Sequence, residues 1–269
     1  MIRSLSNGLE VLIFLNRKDS ASASELAKEL NVPRASVYRI LSTLEKKGFV
    51  FKHPDDGRYY MTPKVHALSD GYKDDDQLTR ISRPFLLHVT ESLRWPVALA
   101  VISGVDLVLR DNTDNISPLA IETFSRGYPV QILGTASGPC ILAYLSSTEQ
   151  RDILNVLDAS DRLKDQTDKN IEQILQQLKT VKRQGYSLHR RKRNKNYVGY
   201  TRVSDLTSLS IPIIKMDKKV IGALTIRYAT SAVSNETALE EFKPVMMEAV
   251  SGIASQIEDR KSTRLNSSH

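Results

Sequence analysis

The stretch Ser22 to Gly48, SASELAKELNVPRASVYRILSTLEKKG, reads as two short helices joined by a tight turn. Ser22 and Glu25 stand at the spacing of a capping box, in which a hydroxyl and a carboxylate satisfy each other's orphaned backbone donors. Leu26, Ala27 and Leu30 follow as a narrow apolar stripe. Asn31 and Val32 form the turn, and Pro33 suits a first helical position, where its missing N–H costs nothing. In the second helix Val37, Ile40, Leu41 and Leu44 recur at i, i+3, i+4 and i+7 and should be core. Gly48 stands where a helix ends on a left-handed residue.

Turning by about 100° per residue places Ala35, Arg39, Ser42 and Lys46 opposite that stripe, with Ser36 and Tyr38 beside them. With Arg34 at its start, this helix presents a cationic outer face rich in hydrogen-bond donors. Such a face suits the major groove of double-stranded DNA: Arg can bond guanine bidentately, Ser can reach phosphate or base edges, and Ala can approach a thymine methyl. Arg39 is the expected reader. Any surface helix also turns Arg, Ser and Lys outward, so the segment after the helix carries the distinction. Phe49 to His53 and Arg58 to Met61 are aromatic-rich runs around Pro54, Asp55, Asp56 and Gly57, the composition of a hairpin. A hairpin directly after a recognition helix makes a winged helix, and Lys52, His53 and Arg58 are its expected phosphate contacts.

Working outward, SLSNGLEVLIFLNR supplies an amphipathic first helix, with Leu5, Leu9, Leu12, Ile13 and Leu15 completing a three-helix core. A short linker helix is expected from Pro63 to about Gly71, and Asp74, Asp75 and Asp76 mark a charged boundary. The expected division is a winged helix-turn-helix domain over 1–62, a linker over 63–76 and a second domain over 77–258. In the second domain Leu78, Ile81, Phe85, Leu86 and Val89 predict a helix over 77–94, kinked or started late by Pro84. Hairpins are predicted from Pro96 to Ile102 with Val105 to Arg110, and from Leu206 to Ile213 with Val220 to Tyr228. Helices are predicted at Thr135 to Leu145, Ser147 to Leu157, Lys169 to Gln184 and Asn235 to Ile257. The economical arrangement is α+β, with helices on one face of an antiparallel sheet.

At 269 residues, 41% of them hydrophobic and 26% charged, the chain has room for two cores. No apolar run approaches the roughly 18 residues of a membrane span, and the first residues lack a signal-peptide pattern. A cytoplasmic protein without membrane attachment is expected. The single cysteine, Cys140, excludes an internal disulfide and a cysteine zinc cluster, and reads as a small packed hydrophobe, with a redox or ligand role as the alternative. The histidines at 53, 66, 88, 189 and 269 show no recognised metal-ligand spacing. No metal or cofactor is expected. The net charge of +7 is compatible with a polyanionic partner. Residues 259–269, DRKSTRLNSSH, resemble the translation of a sequencing-library adapter and contribute +2 of that charge, leaving +5. No Ser, His and Asp set converges, and GTASG lacks the nucleophile-elbow spacing. The competing expectation, a small-acid-converting enzyme with a winged-helix docking module, therefore lacks a nameable acid/base pair.

Up to about Glu258 the chain resembles the IclR family of bacterial transcriptional regulators. The likeness lies in LAKELNVPRASVYRILSTLEKKGFV and DDGRYYMTPKVHALS of the first domain, and in RGYPVQILGTASGPCILAYLS and SIPIIKMDKKVIGALTI of the second. Within the family, VHALSDGY, RWPVAL, TASG and the YATSA tail look most like activators of hydroxyphenylpropionate breakdown. The resemblance implies a GAF-like effector-binding domain for a small organic acid, aromatic by the subgroup. It also implies homodimers or tetramers and binding to an operator, as in the control of a catabolic operon. Carried onto this sequence, the family's effector contacts fall on Ala136 and Ser137 at the opening of a helix, Ser208 on one strand, and Thr225 and Arg227 on another. Backbone donors at a helix start attract a carboxylate, and Arg227 can pair with it bidentately; alternatively Thr225 and Arg227 simply face water. This sequence has Pro139 where the family usually carries Lys. It also has HRRKRNK, His189 to Lys195, where acidic residues are common; that run is expected as a solvated loop, with a lid over an anionic effector or a phosphate contact as alternatives.

Overall fold

The computed structural model describes residues 2–68, 77–192 and 205–266. The chain divides into two compact units, Met1–Asp75 and Asp76–His269.

The first unit runs α1 (Arg3–Lys18), β1 (Ser20–Ala21), α2 (Ala23–Glu29), α3 (Arg34–Lys46), β2 (Val50–Lys52), β3 (Tyr59–Met61) and a 3₁₀ turn (Pro63–Leu68). The capping box opens α2: Ser22 Oγ accepts the Glu25 N–H at 3.2 Å and Glu25 Oε2 accepts the Ser22 N–H at 2.7 Å. Asn31 carries the turn at a φ of 49°, and α3 starts at Arg34, as expected. Pro33, with ψ 138°, is the cap, and its carbonyl accepts from Ser36 and Val37. At its far end the Gly48 N–H bonds the Glu45 carbonyl and the Phe49 N–H bonds the Leu44 carbonyl, a Schellman motif closed by a φ of 74° at Gly48. Lys64 Nζ caps the Lys47 carbonyl at 2.8 Å.

Val11, Leu15, Leu26, Val37, Leu41, Val50 and Tyr59 form the core of this unit, with Leu12, Ile40 and Leu44 packed on it. Leu5, Leu9 and Ile13 do not belong to it; they are exposed. Two i, i+4 series coexist on α1, and Leu9 and Val11 stand about 200° apart around the axis. Only tertiary packing decides which series is covered. β1 pairs with β3, which pairs with β2, so the wing is a three-stranded antiparallel sheet in which Ala21 opposes Tyr59 and Lys52 opposes Tyr59 from the other side.

The second unit runs α4 (Gln77–Leu93), β4 (Val97–Ser103), β5 (Asp106–Asn112), β6 (Pro129–Val130), α5 (Ser137–Leu142), α6 (Ser147–Ala159), α7 (Arg162–Gln166) and α8 (Ile171–Gln184). It continues with β7 (Ser187–Lys192), β8 (Asp205–Ile214), β9 (Val220–Ala229), α9 (Asn235–Thr237), a π turn (Ala238–Phe242) and α10 (Lys243–Asn266). Pro84 neither delays nor interrupts α4. The six strands form one antiparallel sheet in the order β6-β5-β4-β9-β8-β7.

Both faces of this sheet are covered, a departure from the one-sided arrangement expected. Val97, Leu99, Leu209, Ile211, Leu224 and Ile226 pack under Leu86 and Val89 of α4, Phe242 of the π turn, and Met246 and Ile253 of α10. The opposite face offers small residues, Ala98, Ala100 and Ala223, to Ile141 of α5, Leu154 of α6 and Leu178 of α8. Alternation along each strand separates the two sets. The expected helix over 135–145 is only six residues long, and Pro139 sits in its first turn, where a missing N–H is tolerated. The run from His189 is not a loop: through Lys192 it is the edge strand β7, with His189 opposite Ser208. Cations suit an edge because they discourage further pairing. Arg193 to Lys195 and Asp74 to Asp76 lie outside the described residues.

Candidate functional site

In the first unit α3 buries Val37 and Leu41 completely and turns Arg34, Ala35, Tyr38, Arg39, Ser42 and Lys46 to solvent, with Ser36 half-buried. The predicted outer face is therefore present as one surface. Thr43 Oγ1 bonds back to the Arg39 carbonyl at 2.9 Å, so it belongs to the helix rather than to that face. Lys52 is exposed on the wing, its ammonium 6.0 Å from the Tyr59 ring centre.

Arg58 departs from the expectation. Its Nε donates to Ser20 Oγ at 2.9 Å, and Nη2 lies 3.3 Å from the Ser20 carbonyl and 2.8 Å from Glu25 Oε2. The two-residue strand β1 lays Ser20 and the start of α2 against β3, a pairing invisible to local sequence. Arg58 thus braces the wing root against the capping box. The Glu25 carboxyl is held below its usual range, chiefly by the Ser22 backbone N–H, with Arg58 adding to it. His53 keeps a partly exposed side chain on the wing, with Nδ1 3.7 Å from Asp56 Oδ1. Sequence reasoning missed an aromatic patch: exposed Phe51 stacks on Tyr60 with centroids 5.6 Å apart. Their opposition across β2 and β3 was the available signal.

In the second unit α5 is pressed onto the small-residue face of the sheet. Ser137 Oγ lies 2.8 Å from Thr225 Oγ1, which donates to Ser210 Oγ at 3.0 Å, and Ser210 Oγ donates to the Leu224 carbonyl. Cys140 Sγ reaches the Ser210 carbonyl at 3.4 Å, and burial pushes its thiol up to about 12, so it packs rather than reacts. Ala136 and Ser137 are buried, and the Gly138 N–H points at Thr135 Oγ1. The start of this helix, expected to attract a carboxylate, is therefore buried against the rest of the unit. Thr225 is taken up in the hydroxyl chain, not exposed to water.

Farther along the same face, Arg227 opposes half-buried Ser208, which in turn opposes His189. The Arg227 side chain is 15% exposed and its Nη2 pairs with Asp114 Oδ1. Its guanidinium carbon lies 4.8 Å from the centre of the Phe124 ring. The Asp114 side chain, 1% exposed, also accepts the Phe124 N–H at 2.9 Å. Burial outweighs attraction at both ends of this pair, raising the Asp114 carboxyl and lowering the Arg227 guanidinium. Arg227 Nε is buried without a hydrogen-bond partner among the described residues. Glu122 and Arg191 pair nearby. The resemblance-based set is therefore split: Ser208 and Arg227 share a polar patch, whereas Ala136, Ser137 and Thr225 are packing and hydrogen-bonding elements behind it. Asp114 and Phe124, from the connection after β5, were not expected; a loop more than a hundred residues away in sequence carries no local signal.

An open cleft between α6, α7 and α8, lined by Asp158, Leu163, Lys164, Thr167, Asp168 and Lys169, shares no residue with that patch. Among the described residues no group of three His, Cys, Asp or Glu side chains is placed to hold a metal ion, and no helix is long and apolar enough to cross a membrane.

Comparison with known proteins places these features in a family. Residues 4–54 match the IclR helix-turn-helix domain and residues 71–257 the bacterial transcriptional regulator IclR C-terminal domain. The Pca regulon regulatory protein of Pseudomonas putida is 25% identical over 94% of this chain and 84% of its own length. The fold matches the crystal structure of Thermotoga maritima IclR with a TM-score of 0.65 at 22% identity, covering 95% of this chain and 99% of that one. It also matches an IclR homologue from Microbacterium hydrocarbonoxydans complexed with 4-hydroxybenzoate, with a TM-score of 0.61 at 17% identity over 95% and 99%. With a recognition helix in its first unit and matches that together span nearly the whole of it, the chain belongs to the IclR family of bacterial transcriptional regulators.

Proposed function

We propose that the protein is a cytoplasmic homodimer that sets the α3 of each subunit into successive major grooves of an operator, under the control of a small aromatic acid. The observation that carries the DNA half is the single cationic surface made by Arg34, Arg39 and Lys46 opposite fully buried Val37 and Leu41. Arg39 reads a guanine, Ala35 approaches a thymine methyl, and Ser36, Tyr38 and Ser42 bond phosphates or base edges. Arg34, Lys46 and Lys52 neutralise phosphates, while Arg58 holds the wing in place. In the second unit the effector's carboxylate is drawn to Arg227, with Ser208 beside it. Ala136, Ser137 and Thr225 shape the wall behind. Regulation of aromatic-acid catabolism is supported by the Pseudomonas putida relative's role in the Pca regulon and by the 4-hydroxybenzoate held by the Microbacterium homologue.

The test is titration of a labelled duplex from upstream of the protein's own gene, with and without 4-hydroxybenzoate at fixed salt. Sequence-specific binding whose midpoint moves with the acid is expected. Equal affinity for a scrambled duplex, or a midpoint indifferent to aromatic acids, would overturn the corresponding half of the proposal.

A further inference from the structure

A buried ion pair is a poor source of stability, because desolvating two charges offsets most of their attraction. The pair of Arg227 and Asp114 is buried at both ends, and among the described residues Arg227 Nε has no hydrogen-bond partner. Buried polar atoms without partners are rare enough in native proteins to demand a reason. Asp114 is a carboxylate lying on the buried guanidinium that the effector reading assigns to an incoming carboxylate.

The segment bearing Asp114 is also tied to α4. Arg83 of α4 donates to Asp111 Oδ1 at 3.1 Å and to the Asn112 carbonyl at 2.8 Å. Thr90 Oγ1 lies 2.7 Å from Thr113 Oγ1, and Thr113 Oγ1 accepts the Val97 N–H. Asn112 Oδ1 accepts the Asp114 N–H, and its amide donates to the Phe124 carbonyl. Arg126 joins the far end of the loop to Asp111, whose Oδ2 has no hydrogen-bond partner among the described residues. A continuous set of hydrogen bonds therefore runs from Arg227 on β9, through residues 111–114, to the first helix of the second unit.

We propose that Asp114 is a resident counter-ion of Arg227 that an effector carboxylate displaces, and that residues 111–114 pass this exchange to α4. The inference rests on Arg227 being the effector's anchor. Only a ligand that binds the two states unequally shifts their balance; a carboxylate does so here because it and Asp114 compete for the same donors. An uncharged aromatic lacks that competition and leaves the pair in place. The Asp114 carboxyl, already raised by burial, accepts release from Arg227 with less penalty than an ordinary carboxylate.

Calorimetry with 4-hydroxybenzoate on the full chain tests the exchange, with emission of Trp95, which follows α4 and is buried, as the reporter of transmission. Asp114→Asn removes the competing charge and is expected to tighten binding by at least about tenfold, one pK unit of interaction. Asn112→Ala, which loosens the loop while keeping Asp114, is expected to tighten it by a smaller factor, and it serves if the first variant does not fold. Arg83→Gln is expected to bind as wild type while losing most of the Trp95 response. Wild-type binding that Arg227→Gln abolishes, but that neither Asp114→Asn nor Asn112→Ala tightens, overturns the counter-ion proposal and leaves the effector site standing. A wild-type Trp95 response in Arg83→Gln overturns the transmission. Wild-type binding that survives Arg227→Gln, or no wild-type binding, overturns the effector site and the exchange with it.

Discussion

Gly138, in the first turn of α5, packs against the backbone of Ile132. A Cβ built on Gly138 would stand 1.4 Å from the Ile132 carbonyl oxygen and 2.4 Å from its carbon. Ordinary approach of carbon to such an oxygen is about 3.3 Å, so Gly138→Ala requires α5 or the 132–134 segment to move by about 1.9 Å. Neither yields easily, since α5 is pinned to the sheet through Ser137 with Thr225 and Cys140 with Ser210. Ordinary overpacking costs about 1 to 3 kcal/mol; a backbone clash of this size belongs in the tail above about 4 kcal/mol. In a unit of this length each kcal/mol moves the midpoint by about 2 to 4 °C, so a fall of about 8 to 16 °C is expected. Gly134→Ala is the internal control: its Cβ would meet Gln131 Oε1 at 2.8 Å, the far end of a side chain that can rotate away. It should cost less than about 1 kcal/mol. The sole tryptophan, Trp95, lies in the second unit, so thermal melting followed by its emission reports that unit alone. A Gly138→Ala midpoint within about 3 °C of wild type, or a larger loss from Gly134→Ala, would refute the reasoning.

Arg39→Ala should weaken operator binding by about 1 to 3 kcal/mol and leave the melting of the first unit unchanged, because the side chain is exposed; anisotropy titration and circular dichroism separate the two. Leu41→Ala, at a fully buried position, should cost that unit about 2 to 5 kcal/mol in denaturant melts. Ser22→Ala should cost about 1 kcal/mol by removing the hydroxyl half of the capping box, while the Glu25 carboxyl should stay below its ordinary value in an NMR titration, because the backbone N–H of residue 22 that chiefly lowers it remains. His189 is held below its ordinary value of about 6.5 by burial first, then by Arg191 and Lys169. The folded state therefore binds its proton less readily than the unfolded chain. Its contribution is complete above the unfolded value and is lost as the pH falls below it. Urea melts at about pH 7.5 and 5.5 should show that loss in wild type and a smaller one in His189→Gln.

The helix-turn-helix was legible because everything that shapes it is local. The capping box spans Ser22 to Glu25, Asn31 and Pro33 separate the helices, Val37 and Leu41 share a face by helical geometry, and Gly48 supplies the left-handed stop. The hairpins of β4 with β5 and β8 with β9 were legible for the same reason, since short turns at Gly104 and at Lys215 to Lys219 set their registers. Local pattern does not reveal which of two equivalent stripes a partner covers. Leu5, Leu9 and Ile13 therefore looked like core together with Leu15, but the packing buries Leu15 with Val11 and leaves the other three exposed. Nor does it reveal a side chain's distant neighbours: Arg58 was claimed by Ser20 and Glu25 across a two-residue strand, and the cationic run from His189 was drawn into an edge pairing with β8.

The effector site shows the division most sharply. Residue types and a family likeness nominated Arg227, but its chemistry depends on Asp114 and Phe124, delivered by a loop 113 and 103 positions earlier in the chain. By itself the amino-acid order determined the recognition helix and its charged outward face, since a turn of helix samples only its immediate neighbours. The tertiary structure alone decided which cation is free and which is already paired, because burial and charge compensation depend on what the rest of the chain brings to the spot.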